Sequence, residues 1–155
     1  GLLLEFIIVY ENYSEIFIFS NLDKFYHSIS VYISIFGQNL NCNEELMILI
    51  VSKFLVPNGF SGISIYPFIL LKNSDLKNDE VFLNHEKIHL RQQIQLAIVL
   101  FFVWYALEYF YLLIKKQNKR NAYRNISFEK EAYDNEDNLD YLKKKQWWNF
   151  LNYYK

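Results

Sequence analysis

The sequence predicts an α+β fold, and three observations carry that prediction. β-branched apolar runs closed by turn residues occupy the stretch before residue 72. From about residue 80 the chain runs on without Pro or Gly, with capping residues ahead of it and lysines at its end. At 155 residues and 52% hydrophobic content, it is long enough for one domain and too apolar for disorder. With 16 Lys+Arg against 17 Asp+Glu, no global basic field exists, so nucleic acid is not an expected partner. The single cysteine, Cys42, can form neither an internal disulfide nor a thiolate zinc site.

Taken in order, residues 1–46 hold one Lys against six acids, whereas residues 47–155 hold 15 basic and 11 acidic groups. The neutral total therefore joins two unlike parts. The opening lacks a positive n-region and its apolar run is broken by Glu5, so it does not read as a signal peptide. We read 1–46 as an acidic apolar segment ahead of a domain that starts at Met47. The plainer reading is that it supplies one or two ordinary helices or strands.

Residues 47–56 read as a strand, Pro57–Gly62 as turn chemistry and Ile63–Leu71 as a second strand. Together they predict a β-hairpin. Pro67 cannot donate to a ladder, which puts the second strand at an edge or gives it a bulge. Lys72–Lys77 reads as a polar loop. Asn78 or Asp79 then caps a helix running from Glu80 to at least Leu96. The apolar run Ile94–Ile114 follows and ends on Lys115 and Lys116. Asn121–Ser127 reads as a connector, with Ser127 capping a helix that carries Glu129. A last helix over Leu139–Tyr154 is expected to bury Leu142, Trp147, Phe150 and Leu151.

Chemistry is concentrated in His85-Glu86-Lys87-Ile88-His89. On a helix, positions i and i+4 share a face, so two imidazoles can hold one metal ion, with zinc the expected species. Glu86 lies one residue round, placed to act as general base on a metal-activated water. A plain surface helix with two histidines is the competing reading. A catalytic site needs a third protein ligand. His27, the only other histidine, lies in the 1–46 segment, which leaves Glu108, Glu129, Glu131 and Glu136.

The His-Glu-x-x-His block, followed by Phe128-Glu129-Lys130-Glu131-Ala132-Tyr133, resembles the gluzincin metallopeptidases. The nearest in pattern are the membrane-associated CAAX-processing and heat-shock-type proteases. Small, uncharacterised bacterial zincin-like proteins carry similar blocks. The resemblance covers about Met47–Asp137 and implies a minimal zincin-like domain. In that pattern the second helix bears Glu-x-x-Ala-Asp, and its first Glu is the third zinc ligand. Matched by position, the Glu is Glu129 and the Ala is Ala132. Tyr133 stands where the family has an Asp that supports a histidine ligand, and Asp134 is one residue out of register. The resemblance thus implies a hydrolase with a peptide or protein substrate, in a bacterial cell. The departure at Tyr133 keeps a second outcome open, an inactive scaffold that binds metal or partners. Tyr123, Tyr133 and Tyr66 are candidate donors to an oxyanion. Zincin-like folds place an edge strand over the active-site helix; Ile63, Ile65 and Tyr66 would belong to that strand.

Ile94–Ile114 is long enough to span a bilayer. A single crossing would, however, separate Glu129 from the histidines by about 30 Å, so a crossing and this metal site exclude each other. An unbroken helix from His89 to Lys116 would be about 40 Å long. Either the connector returns along it, or the helix breaks between Gln95 and Tyr105. The aromatic-rich segment is then a core helix or an interfacial one on an anionic leaflet, which makes the protein membrane-associated or cytoplasmic. Arg91, Gln92 and Gln93 read as helix surface or as hydrogen bonders to the site. Lys143–Lys145 reads as a solvated face.

Overall fold

The computed structural model describes residues 5–10, 13–19 and 47–154, with side chains from Met47 onward. The mixed α+β class holds. The chain divides into two compact units, Gly1–Lys77 and Asn78–Lys155. His27 and Cys42 lie outside the described residues.

The first unit is a five-stranded mixed sheet. Strands β1 (Glu5–Tyr10), β2 (Tyr13–Phe19), β3 (Met47–Val51), β4 (Gly62–Ile65) and β5 (Phe68–Leu71) lie in the order β2-β1-β3-β5-β4. β1 runs antiparallel to both β2 and β3, with Glu5 opposite Val51 and Val9 opposite Met47, so segments on either side of residue 46 share one sheet. β3 pairs with β5 in parallel, and β4 returns antiparallel to β5. Met47–Ile50 are all buried, as an uninterrupted apolar run in a central strand should be.

The expected hairpin between 47–56 and 63–71 is corrected here. The hairpin lies within 62–71, and Tyr66-Pro67 forms its two-residue turn. Proline's fixed φ and missing N–H suit a turn better than a strand interior. Ile63 and Ile65 sit on β4, an edge strand of the sheet, while Tyr66 belongs to the turn. Between β3 and β4, Gly59 takes φ +96, the left-handed region glycine tolerates at no steric cost. A 3₁₀ turn, Ser74–Asn78, replaces most of the expected polar loop.

The second unit is helical. α1 spans Glu80–Gln95, and its N-cap is Asp79, whose carboxylate accepts from the Phe82 N–H at 3.0 Å. α2 spans Ile98–Lys116, α3 Lys119–Arg124, α4 Ser127–Asn135 and α5 Tyr141–Lys144. The helix breaks at Leu96–Ala97, where Ala97 adopts φ 55. This break, not an extended return, brings the middle of α2 to α4. The segment read as a connector begins inside helix α3, which the Asn118 side chain caps.

The core of this unit gathers Leu96, Phe101, Leu112, Ala122, Ile126, Phe128 and Phe150. Phe128 sits among its aromatics, with ring centroids of Phe101 at 4.7 Å and Phe150 at 4.5 Å. The start of α4 is capped from α2, which corrects the expectation that Ser127 itself is the cap. Glu108 accepts from the Ser127 N–H at 2.9 Å and from its hydroxyl at 2.7 Å, while the N-cap position is Ile126. A carboxylate in an apolar helix thus satisfies orphan donors of another helix and meets its dipole.

The single C-terminal helix is also corrected. It is α5 and a separate 3₁₀ turn, Asn149–Tyr153, with Lys145 extended between them. Lys145 turns inward, its Nζ 3.0 Å from Glu131 Oε1 and 2.8 Å from Gln95 Oε1. That buried pair interrupts the helix and removes Lys145 from the solvated face expected of it; Lys143 and Lys144 are exposed. Of the expected stripe, only Phe150 is fully buried, and Trp147 is 62% exposed.

Candidate metal centre

The two histidines and the second glutamate converge. His85, His89 and Glu129 are all buried, and one ligand atom from each lies within 4.8 Å of the others. The i,i+4 spacing on α1 sets the imidazoles side by side, and α4 presents Glu129 to both. His89 Nε2 is 3.1 Å from His85 Nε2, 3.4 Å from Glu129 Oε1, and His85 Nε2 is 3.7 Å from Glu129 Oε2.

What surrounds the histidines fixes their tautomers. His85 Nδ1 lies 2.7 Å from Glu136 Oε2, and His89 Nδ1 lies 2.8 Å from Gln92 Oε1. A carboxylate cannot donate, so His85 Nδ1 carries the hydrogen. Gln92 is oriented as firmly, because its Nε2 donates to Phe128 O at 3.1 Å and to Glu131 Oε2 at 2.8 Å. Its oxygen therefore faces His89, and Nδ1 of that ring donates too. With both Nδ1 atoms donating, neutral imidazoles turn two Nε2 lone pairs toward each other across 3.1 Å. That arrangement is repulsive unless a proton or metal ion lies between them.

Glu129 completes the set. Tyr105 donates to its Oε1 at 2.7 Å, whereas Oε2 is buried with no hydrogen-bond partner. A buried carboxylate oxygen left in this state is costly unless something cationic meets it. Three donors of tetrahedral geometry around zinc would stand ~3.3 Å apart, given bonds of about 2.0–2.1 Å. The separations of His89 Nε2 from His85 Nε2 and from Glu129 Oε1, 3.1 and 3.4 Å, bracket that value, and the other carboxylate oxygen lies 3.7 Å from His85 Nε2. The residues present thus fit a metal ion: two imidazole nitrogens and a carboxylate oxygen.

The electrostatics agree. Burial alone would depress the His89 pKa, but the Glu129 carboxylate, joined by Glu86 and Gln92, outweighs it and raises the value from 6.5 to about 9. Burial would likewise raise Glu129, yet the two histidines and the Tyr105 hydroxyl hold it below the ordinary carboxylate range. Without metal, a proton shared by this cluster takes the place of the cation. Glu86 is buried on the same helix and acts electrostatically on both His89 and Tyr123.

The tyrosines divide by role. Burial, then Glu129, pushes the Tyr105 and Tyr123 hydroxyls far above their usual range, so both remain protonated donors. Tyr133 packs its ring 4.6 Å from that of His85, beneath the Arg124 guanidinium at 4.9 Å. The carboxylate that meets His85 Nδ1 is that of Glu136, three residues beyond Tyr133. Asn84, ahead of the motif, donates into the carbonyls of Asn135, Glu136 and Asn138 at 2.8–3.3 Å. It ties the motif helix to the end of α4 and holds Glu136 within reach of His85.

Two of the glutamates weighed as ligands serve other ends. Glu108 caps α4, and Glu131 is a buried hub that receives Tyr141, Asn149, Lys145 and Gln92. Through Gln92 that hub steadies His89. Sequence reasoning missed Tyr105 and Asn84, although an Asn immediately before a His-Glu-x-x-His helix face was a usable signal. Ile63, Ile65 and Tyr66 belong to the other unit. No protein-family model, curated protein or solved structure matches the chain.

Proposed function

We propose that the helical unit is a minimal zincin-like, zinc-dependent peptidase. The observation that carries this reading is the paired Nε2 lone pairs of His85 and His89 facing an unsatisfied Glu129 Oε2, with Glu86 buried beside them. A set of two imidazoles and one carboxylate leaves a fourth position open, which is the coordination of catalytic rather than structural zinc sites. Zinc, when bound, supplies Lewis-acid activation of a water and of a carbonyl.

The chain's own residues then have separable tasks. Glu136 and Gln92 hold the imidazoles in the tautomer that offers Nε2. Glu86 accepts the proton of the attacking water and returns it to the leaving amine. The Tyr105 hydroxyl, kept protonated by burial, is committed to Glu129 Oε1, so in this reading the protonated Tyr123 hydroxyl is the donor to negative charge that develops on the substrate oxygen.

Glu86→Gln separates an enzyme from a metal-binding scaffold. The substitution keeps size and hydrogen-bonding capacity but removes the base. Zinc content should stay at the wild-type level while hydrolysis of an unfolded-protein substrate falls by at least about a hundredfold. Equal hydrolysis by both forms would remove Glu86 as base, and absence of hydrolysis in zinc-loaded wild type would favour the scaffold.

A further inference from the structure

Helix α2 has two unlike faces. The inner one is committed to the fold: Phe101 and Leu112 enter the core, Tyr105 reaches Glu129, and Glu108 caps α4. The outer one carries Val99, Val103, Leu107, Phe110 and Ile114, which follow one another at helical spacing. Their exposure is extreme for such residues, with Val99 at 73%, Leu107 at 68% and Ile114 at 79%. Solvent-facing apolar rows of this length mark a surface that something covers.

The tryptophans point to what covers it. The chain has three, Trp104, Trp147 and Trp148, and all three are exposed. Trp104 and Trp148 flank the Phe150 ring at 5.5 and 6.1 Å, so Trp148 adjoins the side of α2 that carries Trp104. Amphipathic aromatic rings at the rim of an apolar surface are the pattern of a membrane–water interface. Charge is complementary as well. From Tyr109 to Phe128 the chain carries five basic residues, Lys115, Lys116, Lys119, Arg120 and Arg124, and no acidic one. The first four are exposed. A protein partner could match that charge locally, but an anionic bilayer supplies both the apolar depth and the phosphate layer in the same order.

We propose that the helical unit docks on anionic lipid bilayers through the outer face of α2. The helix lies parallel to the membrane, with its apolar row about 5–10 Å into the acyl boundary. The tryptophans sit at the headgroup level, and Lys115, Lys116, Lys119 and Arg120 contact lipid phosphates. Crossing the bilayer is not involved, since it would strip Tyr105 from Glu129 and Glu108 from Ser127. This inference does not rest on the peptidase reading and stands whether or not the metal centre turns over substrate.

The test uses the full chain, intrinsic tryptophan emission and vesicle co-sedimentation. Because Trp104 lies on this helix and Trp148 joins it at the Phe150 ring, emission reports on its surroundings. Vesicles of equal parts phosphatidylglycerol and phosphatidylcholine should shift emission to the blue and carry the protein down. Vesicles of phosphatidylcholine alone should bind it more weakly. Leu107→Asp should lower the partition constant about tenfold or more with zinc content unchanged. Lys115→Gln and Lys116→Gln should each lower it about fivefold on the anionic vesicles only. The proposal is overturned by the absence of a shift on anionic vesicles, or by undiminished binding of Leu107→Asp. It is equally overturned if sedimentation velocity finds a stable dimer that Leu107→Asp dissociates while lipid is ignored, for then a second copy covers the face.

Discussion

Replacing Glu136 probes the part of the site that no ligand motif announces. Its carboxylate accepts from His85 Nδ1 at 2.7 Å and thereby fixes which nitrogen faces the metal. Removing such a partner costs about 10- to 100-fold in metal affinity, or roughly 1.4–2.8 kcal/mol. The Glu136 side chain is 27% exposed, so water can replace part of the interaction and solvent screens the rest. The expected loss for Glu136→Ala is therefore at the lower end, about tenfold. A charge-assisted hydrogen bond is roughly twice as strong as a neutral one, so Glu136→Gln should lose about threefold. Competition titration against a chromophoric zinc chelator measures both, with circular dichroism confirming that the helices persist. An Ala variant within twofold of wild type would refute the idea that Glu136 sets the tautomer. A Gln variant as weak as the Ala variant would refute the role of its acceptor oxygen.

Two further consequences concern pH and stability. Metal needs neutral His89, and in the metal-free protein that ring titrates near 9. Apparent zinc affinity should thus rise about tenfold per pH unit up to about 9 and then level off, read by the same titration. The sign reverses for the metal-free fold: a raised histidine value stabilises fully below 6.5, and that contribution is lost as pH climbs through about 9. Urea midpoints of the metal-free protein should fall across that window. Separately, Glu108→Ala leaves the buried Ser127 N–H and hydroxyl without their acceptors, and should cost about 2–4 kcal/mol in urea denaturation. Glu108→Leu should be as damaging; a Leu variant more stable than wild type would mean that the cap contributes nothing.

How much of this could be read beforehand depends on the range of the interaction responsible. The pairing of His85 with His89 is helix geometry and is legible from spacing. Asp79 as a cap is equally local. The meeting of these histidines with Glu129 rests on the resemblance of a second block, and the cluster of the three is what the fold delivers. The break at Leu96–Ala97 has no local signal: it contains neither Gly nor Pro, although Ala97 takes φ 55 there. The same holds for the interrupted C-terminal helix, where a buried ion pair between Lys145 and Glu131 overrides good helical propensity. Glu108 read as one of four candidate ligands and is in fact a cap for another helix. Glu136 was legible in principle, since it lies two turns beyond Glu129 on the same face of the chain. Tyr105 was not, because one tyrosine in a run of aromatics carries no mark of its partner.

Metal content is the most direct check of the whole reading. Purified protein exchanged into zinc and freed of excess should retain one zinc ion per chain by atomic absorption. His85→Ala and Glu129→Ala should each lose it, while Asp134→Asn, at an exposed position of α4, should keep it. Zinc retained by Glu129→Ala, or an absence of stoichiometric zinc in the folded wild type, would contradict a His85–His89–Glu129 centre.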